Sequence, residues 1–153
     1  MSETIFDLIV AKKIKSYPIW EDDKYLAFLT PYPNTPGFSV LIPKQNPGDY
    51  FFDLEDNLIY ELINRAKIVA GLLKKALKVS RVALVIEGTG VAYCHLKLIT
   101  LHGELGKQTN IWSNHQEFYP KYVGYLTTTE GPKMDDNELL QIQHKILKES
   151  KKI

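Results

Sequence analysis

Residues 91–101 read Val-Ala-Tyr-Cys-His-Leu-Lys-Leu-Ile-Thr-Leu. In an extended strand alternate side chains share a face, so Tyr93, His95, Lys97 and Ile99 point one way while Ala92, Cys94, Leu96 and Leu98 point the other. Burying the second, apolar set against a helix would leave a phenol, an imidazole and an ammonium in a row, with roughly 6–7 Å between neighbours. Such a row can straddle a phosphate. A neutral imidazole is a competent nucleophile at phosphorus near neutral pH, an adjacent ammonium stabilises charge developing on the non-bridging oxygens, and Tyr93 can donate a hydrogen bond. By residue type alone, the same face reads first as a mixed polar surface turned to solvent.

The flanking segments supply a scaffold. Residues 16–21 and 25–30 are short aromatic and branched runs separated by Asp22 and Asp23, which predicts neighbouring antiparallel strands. A third strand is predicted over residues 38–44, between the turn cluster Pro31-Tyr32-Pro33-Asn34-Thr35-Pro36-Gly37 and Pro47-Gly48-Asp49. Leu58, Leu62, Ala66, Val69, Leu73 and Leu77 recur at steps of three and four, predicting one long amphipathic helix over residues 54–78 with Asp53 as its N-cap. Glu55 and Asp56 in its first turn and Lys74, Lys75 and Lys78 in its last complement the helix dipole. Strands over Arg81–Glu87 and residues 91–101 follow, joined by Gly88-Thr89-Gly90 as a tight turn. Beyond them, residues 103–121 are irregular, 122–128 read as a further strand and 135–152 as a terminal helix. The expected class is α+β, an antiparallel sheet with one long central helix and a C-terminal helix. The expected organisation is a single domain over residues 1–153, with a core of about 5–102 and an extension over 103–153.

Composition narrows the function. Nineteen Lys plus Arg against eighteen Asp plus Glu leave a formal charge of +1, so no bulk field draws nucleic acid or an anionic membrane. Only Arg65 and Arg81 are arginines, which removes most of the bidentate forks that read bases. A lone cysteine, Cys94, makes no intramolecular disulfide and supplies no zinc-ligand pair, which fits a reducing cytoplasm, and no metal site is expected. The longest aliphatic run, residues 82–86, is far below the roughly 18 residues of a membrane span. Asp7 interrupts the apolar amino terminus and lysines follow rather than precede it, unlike a secretory signal. His115 and His144 stand without ligand partners and are expected to be exposed, whereas Trp20, Phe28 and Phe38 are expected in the core or at a subunit surface.

Phe6-Asp7-Leu8-Ile9, Trp20-Glu21-Asp22-Asp23, Tyr25-Leu26-Ala27-Phe28-Leu29 and Pro36-Gly37-Phe38-Ser39-Val40-Leu41-Ile42-Pro43-Lys44 match in order and spacing the amino-terminal half of the histidine-triad (HIT) family. Val91-Ala92-Tyr93-Cys94-His95-Leu96-Lys97-Leu98-Ile99 aligns without a gap with the family's signature of three histidines at alternate strand positions, of which only the middle one is present. The resemblance spans about residues 5–102. It implies an α+β nucleotide-binding fold that pairs into homodimers through a continuous antiparallel sheet. It also implies hydrolase or transferase activity on nucleoside phosphoramidates or dinucleoside polyphosphates, without a cofactor, through a nucleotidyl-histidine formed on His95.

By the same resemblance Lys97 holds the third histidine's place and Tyr93 the first. An ammonium with a reference pKa of about 10.4 clamps phosphate but shuttles protons poorly at pH 7. Thr30 stands where the family offers Asp or Asn to the ribose. Gly88, Thr89 and Gly90 form the phosphate-side turn but lack the family's Gln and Ser, and His102 is a helper only if the chain turns after Leu101. Residues 112–119, rich in aromatics, with Lys107, suit a lid over the site or packing on the terminal helix. Two other functions remain open: a non-catalytic nucleotide or phosphometabolite binder on the same fold, and a purely structural interaction module.

Overall fold

A computed structural model of the chain describes residues 3–104, 120–121 and 133–151. The first elements are helix α1 (Ile5–Val10), strands β1 (Tyr17–Glu21), β2 (Tyr25–Leu29) and β3 (Ser39–Pro43), and a 3₁₀ turn over Phe51–Asp53. Helix α2 (Asp56–Leu77), strands β4 (Arg81–Glu87) and β5 (His95–Leu101) and helix α3 (Asp136–Ser150) follow among the described residues. The five strands form one antiparallel sheet in the order β1-β2-β3-β5-β4. The α+β architecture expected from the sequence is thus present, with its long central helix and its terminal helix. The strand expected over residues 122–128 and the segment 112–119, with Lys107 and His115, lie outside the described residues.

The sheet is covered on both faces, which is why β2 and β3 are buried at every position. On one side Tyr25, Ala27, Leu29, Leu41, Leu96 and Leu98 meet Leu62, Ala66, Val69, Leu73 and Ala76 of α2 and Leu139 and Ile146 of α3. On the other, Leu26, Phe28, Val40 and Ile42 pack with Phe6 and Ile9 of the short α1. Helix α1 is held by a reciprocal capping box: Asp7 N–H donates to Thr4 Oγ1 while Thr4 N–H donates to the Asp7 carboxylate. The terminal helix docks through Asp136, which accepts from Tyr17 Oη at 2.7 Å and pairs with Lys15 at 2.8 Å, and through Gln143, which donates to the Pro18 carbonyl.

Three local expectations change. The long helix begins at Asp56 rather than residue 54, and Glu55, not Asp53, is its N-cap. The intervening Leu54 is extended (ψ 148°), so Asp53 closes a separate 3₁₀ turn. Strand β5 begins at His95 rather than Val91, because the preceding backbone bonds elsewhere: Tyr93 N–H donates to the Val91 carbonyl and Cys94 N–H to the Gly48 carbonyl. The link from β4 to β5 is therefore the seven residues 88–94, not the three-residue Gly88-Thr89-Gly90 turn.

Gly88 secures that link. A Cβ there would overlap the backbone carbonyl of Asp49, so the loop carrying Cys94 into the sheet closes only around a glycine. Gly71, inside α2, has nothing within 4 Å of a would-be Cβ. Gly88→Ala is expected to destabilise the fold by about 1–3 kcal/mol and Gly71→Ala to stabilise it by about 0.5–1 kcal/mol. Urea denaturation of both variants checks the opposite signs, and equal effects would contradict the close approach at Gly88.

Candidate active site

The register of β5 puts Leu96 and Leu98 on the α2 side and so turns His95 and Lys97 to the α1 side. There they help line a cleft of about 290 Å³ between the sheet, α1 and the turn after β2. Its apolar wall includes Ile5, Phe6, Phe28, Phe38 and Val40; its polar groups include Lys15, Thr30, Glu87, His95 and Lys97. An apolar slot with a few convergent polar groups is the usual form of a small-molecule site.

His95 is only 3% exposed. Phe6 packs edge-to-face with its ring, the centroids 5.1 Å apart. Its Nδ1 lies 2.8 Å from the Tyr93 carbonyl, an acceptor only, so Nδ1 carries the proton and donates. In the neutral ring the lone pair therefore sits on Nε2. Burial is the main influence on the imidazole and lowers its pKa below the usual value, with Lys97 adding to the effect; the Tyr93 carbonyl and Glu87 oppose it. A neutral, oriented imidazole with Nε2 as its nucleophilic atom can attack an electrophilic phosphorus.

Glu87 is the residue that sequence reasoning missed. It ends β4 directly opposite His95 in the ladder, and its Oε1 lies 3.6 Å from His95 Nε2 and 2.5 Å from Lys97 Nζ. The available signal was the pairing of two adjacent antiparallel strands, which brings the end of the aliphatic run 82–86 beside the start of the next strand. Phe6 and Lys15 were equally hidden, since they come from the amino-terminal segment and reach the cleft only through folding.

The other sequence-predicted residues are distributed unevenly. Thr30 and Gly90 line the cleft with His95 and Lys97. Thr89 is exposed, and Gly88 is buried against Asp49. Tyr93 precedes β5 and does not line the cleft: it lies on the same α1 side as His95 but is fully buried beside Phe6, and its Oη donates to the Pro43 carbonyl at 2.5 Å. Burial raises its phenol pKa well above the usual range. Ala92 is exposed rather than packed under the helix. His102 turns to the surface with Nε2 2.7 Å from the Pro36 carbonyl. Phe28 and Phe38 are buried yet line the cleft, Trp20 packs against the core, and His144 is exposed. Among the described residues no group of three His, Cys, Asp or Glu side chains is placed to hold a metal, and no helix is long and apolar enough to cross a membrane.

Comparison with known proteins agrees with this fold. An Arabidopsis thaliana protein named adenylylsulfatase HINT1 is 36% identical over 74 residues, 48% of this chain and 50% of that protein. This chain thus spans about half the length of that relative. A HIT-like protein of Mycoplasma genitalium is 33% identical over 111 residues, covering 69% of this chain and 77% of that protein. The crystal structure of a hypothetical histidine triad nucleotide-binding protein from Sulfolobus tokodaii superposes with a TM-score of 0.72 over 96% of this chain and 91% of that one, at 19% identity, which establishes a common fold. The HIT domain pattern matches residues 11–102, more than half the chain and all five strands. On the match of that pattern, the chain belongs to the HIT family.

Proposed function

We propose that this protein is a nucleotide hydrolase or nucleotidyl transferase in which His95 Nε2 attacks the α-phosphorus of a nucleoside phosphoramidate or phosphoanhydride. The observation that carries the reading is the tautomer: Nδ1 donates to the Tyr93 carbonyl, so the buried imidazole keeps its lone pair on Nε2, in a cleft that Lys97 also lines. The apolar slot formed by Ile5, Phe6, Phe28 and Phe38 takes the base, and Thr30, which lines the same cleft, offers its hydroxyl to the ribose. Lys97 stabilises charge on the phosphoryl oxygens. The Nε2–phosphorus bond forms as the bond to the departing group breaks; water or another acceptor then displaces the nucleotidyl group and returns the electron pair to Nε2. Gly90, at the cleft mouth, is the member of the Gly88-Thr89-Gly90 turn that meets the phosphates.

One observation favours a second reading, a nucleotide binder without turnover. Lys97 is joined to Glu87, and an ammonium in that place is a poor proton shuttle. In either reading the protein works as a homodimer in a reducing cytoplasm. The dimer forms through the β4 edge, where Leu84 is 41% exposed. The compartment suits Cys94, a buried thiol whose pKa burial pushes up to about 11.

Mixing the protein with adenosine and guanosine phosphoramidates and dinucleoside polyphosphates, then quenching at alkaline pH, is expected to reveal a nucleotidyl adduct by intact mass. His95→Ala should form none and lose at least about 10³-fold in kcat while still binding nucleotide. Ligand-induced thermal shift with neither adduct nor product from wild type would favour the binder instead.

The lowered pKa of His95 also has a signed consequence for stability. Between the unfolded value of about 6.5 and the lower folded value, the unfolded chain binds the extra proton, so this contribution is present above pH 6.5 and is lost as pH falls. Denaturation midpoints should drop below pH 6.5 less steeply for His95→Asn than for wild type, and parallel curves would contradict a buried neutral imidazole. In light scattering, Leu84→Lys is expected to convert the dimer to monomer; a persisting dimer would place the interface elsewhere.

A further inference from the structure

We infer that Glu87 determines the specificity of this cleft: its carboxylate, set beside the nucleophilic nitrogen of His95, selects a phosphoryl centre whose departing group is uncharged or cationic, such as an amine, and rejects a polyphosphate chain. The inference rests on the hydrolase reading above and narrows its substrate class.

The side chains of Glu87, His95 and Lys97 are 14%, 4% and 13% exposed, so solvent screens their charges weakly. A phosphorus poised about 3–3.5 Å from Nε2 therefore lies within about 7 Å of Glu87 Oε1, which is itself 3.6 Å from that nitrogen. The cations available to a phosphate are already compensated. Lys97 is 2.5 Å from Glu87, and Lys15 at the rim is 2.8 Å from Asp136. Neither arginine lines the cleft: Arg65 pairs with Asp22, and Arg81 begins β4 at the end opposite Glu87.

One phosphoryl group can share Lys97 with Glu87. Each further phosphate adds negative charge to a cleft that already holds this carboxylate, and no additional uncompensated cation meets it among the described lining residues. Drawing Lys97 away to serve a polyphosphate would take an ion-pair partner from the buried Glu87 carboxylate, at a cost. An amine departing group avoids both penalties. The step balances: Nε2 gives its lone pair to phosphorus, and the phosphorus–nitrogen bond breaks toward an amine already protonated from solvent. Water then forms the new oxygen–phosphorus bond, the pair returns to Nε2, and the proton of water goes to solvent.

Two ratios test this in wild type, Glu87→Gln and Glu87→Asp. One is the Kd of AMP against ATP by calorimetry; the other is kcat/KM for adenosine 5′-phosphoramidate against diadenosine tetraphosphate. Wild type is expected to bind AMP at least as tightly as ATP and to prefer the phosphoramidate. Glu87→Gln should move both ratios toward the polyphosphate by on the order of 10-fold or more, and Glu87→Asp should stay near wild type. Unmoved ratios in Glu87→Gln overturn the inference even if both absolute values fall, because structural damage affects the two ligands alike; a wild-type preference for polyphosphate also overturns it. His95-dependent turnover with unmoved ratios leaves the hydrolase reading standing and removes only the role of Glu87. Shifted binding ratios without any turnover uphold the charge selection and remove the hydrolase reading. Absence of both binding and turnover overturns both.

Discussion

Leu96 and Leu98 anchor β5 against α2, and nearly everything about the cleft depends on that contact. Both are almost completely buried, and each contributes about 1.5–3 kcal/mol by leaving water. Because side chains alternate along a strand, a register slip of one residue would drive His95 and Lys97 into the leucine layer. The apolar contact behind the sheet thus sets which polar groups stand in front of it. The neighbouring pairings, β3 on one side and β4 on the other, hold the same register and bring Val40 and Glu87 to the front face.

The front face is itself buried, which distinguishes this site from a solvated strand surface. Helix α1 is only six residues long, yet its Phe6 touches Phe28, Tyr93 and His95. Its position helps bury the imidazole, and that burial lowers the imidazole pKa below its usual value because it disfavours the charged form. The C-terminal helix contributes at a distance. Asp136 holds Lys15, and Met134 N–H donates to the Pro31 carbonyl, so two rim residues are tied to the sheet's opposite cover.

Charge in the cleft is organised in pairs rather than as a field. Lys97 with Glu87 and Lys15 with Asp136 leave a nearly neutral mouth on a chain whose formal charge is +1. The described lining then offers a ligand apolar contact and a few directed polar groups, Lys97 among them. This is consistent with a lining in which Ile5, Phe6, Ile9, Phe28, Phe38 and Val40 predominate.

Much of this was legible in the residues alone. Alternation in 91–101 separated the His95 and Lys97 face from that of Leu96 and Leu98, and the three-four spacing from Leu58 to Leu77 identified the helix that covers the leucines. Periodicity reports which side of an element is buried, and that information is local. It could not reveal that Tyr93 leaves the strand, because Cys94 N–H finds the Gly48 carbonyl, a partner 46 residues earlier. Nor could it place Phe6 on the imidazole or Glu87 between His95 and Lys97, since each contact joins segments that only sheet pairing and helix docking bring together. The sequence by itself determined the strand that carries His95 and Lys97 and the apolar face that supports them. Tertiary structure alone decided the tautomer, the neutrality of the imidazole and its carboxylate neighbour, because these depend on burial and on partners distant along the chain.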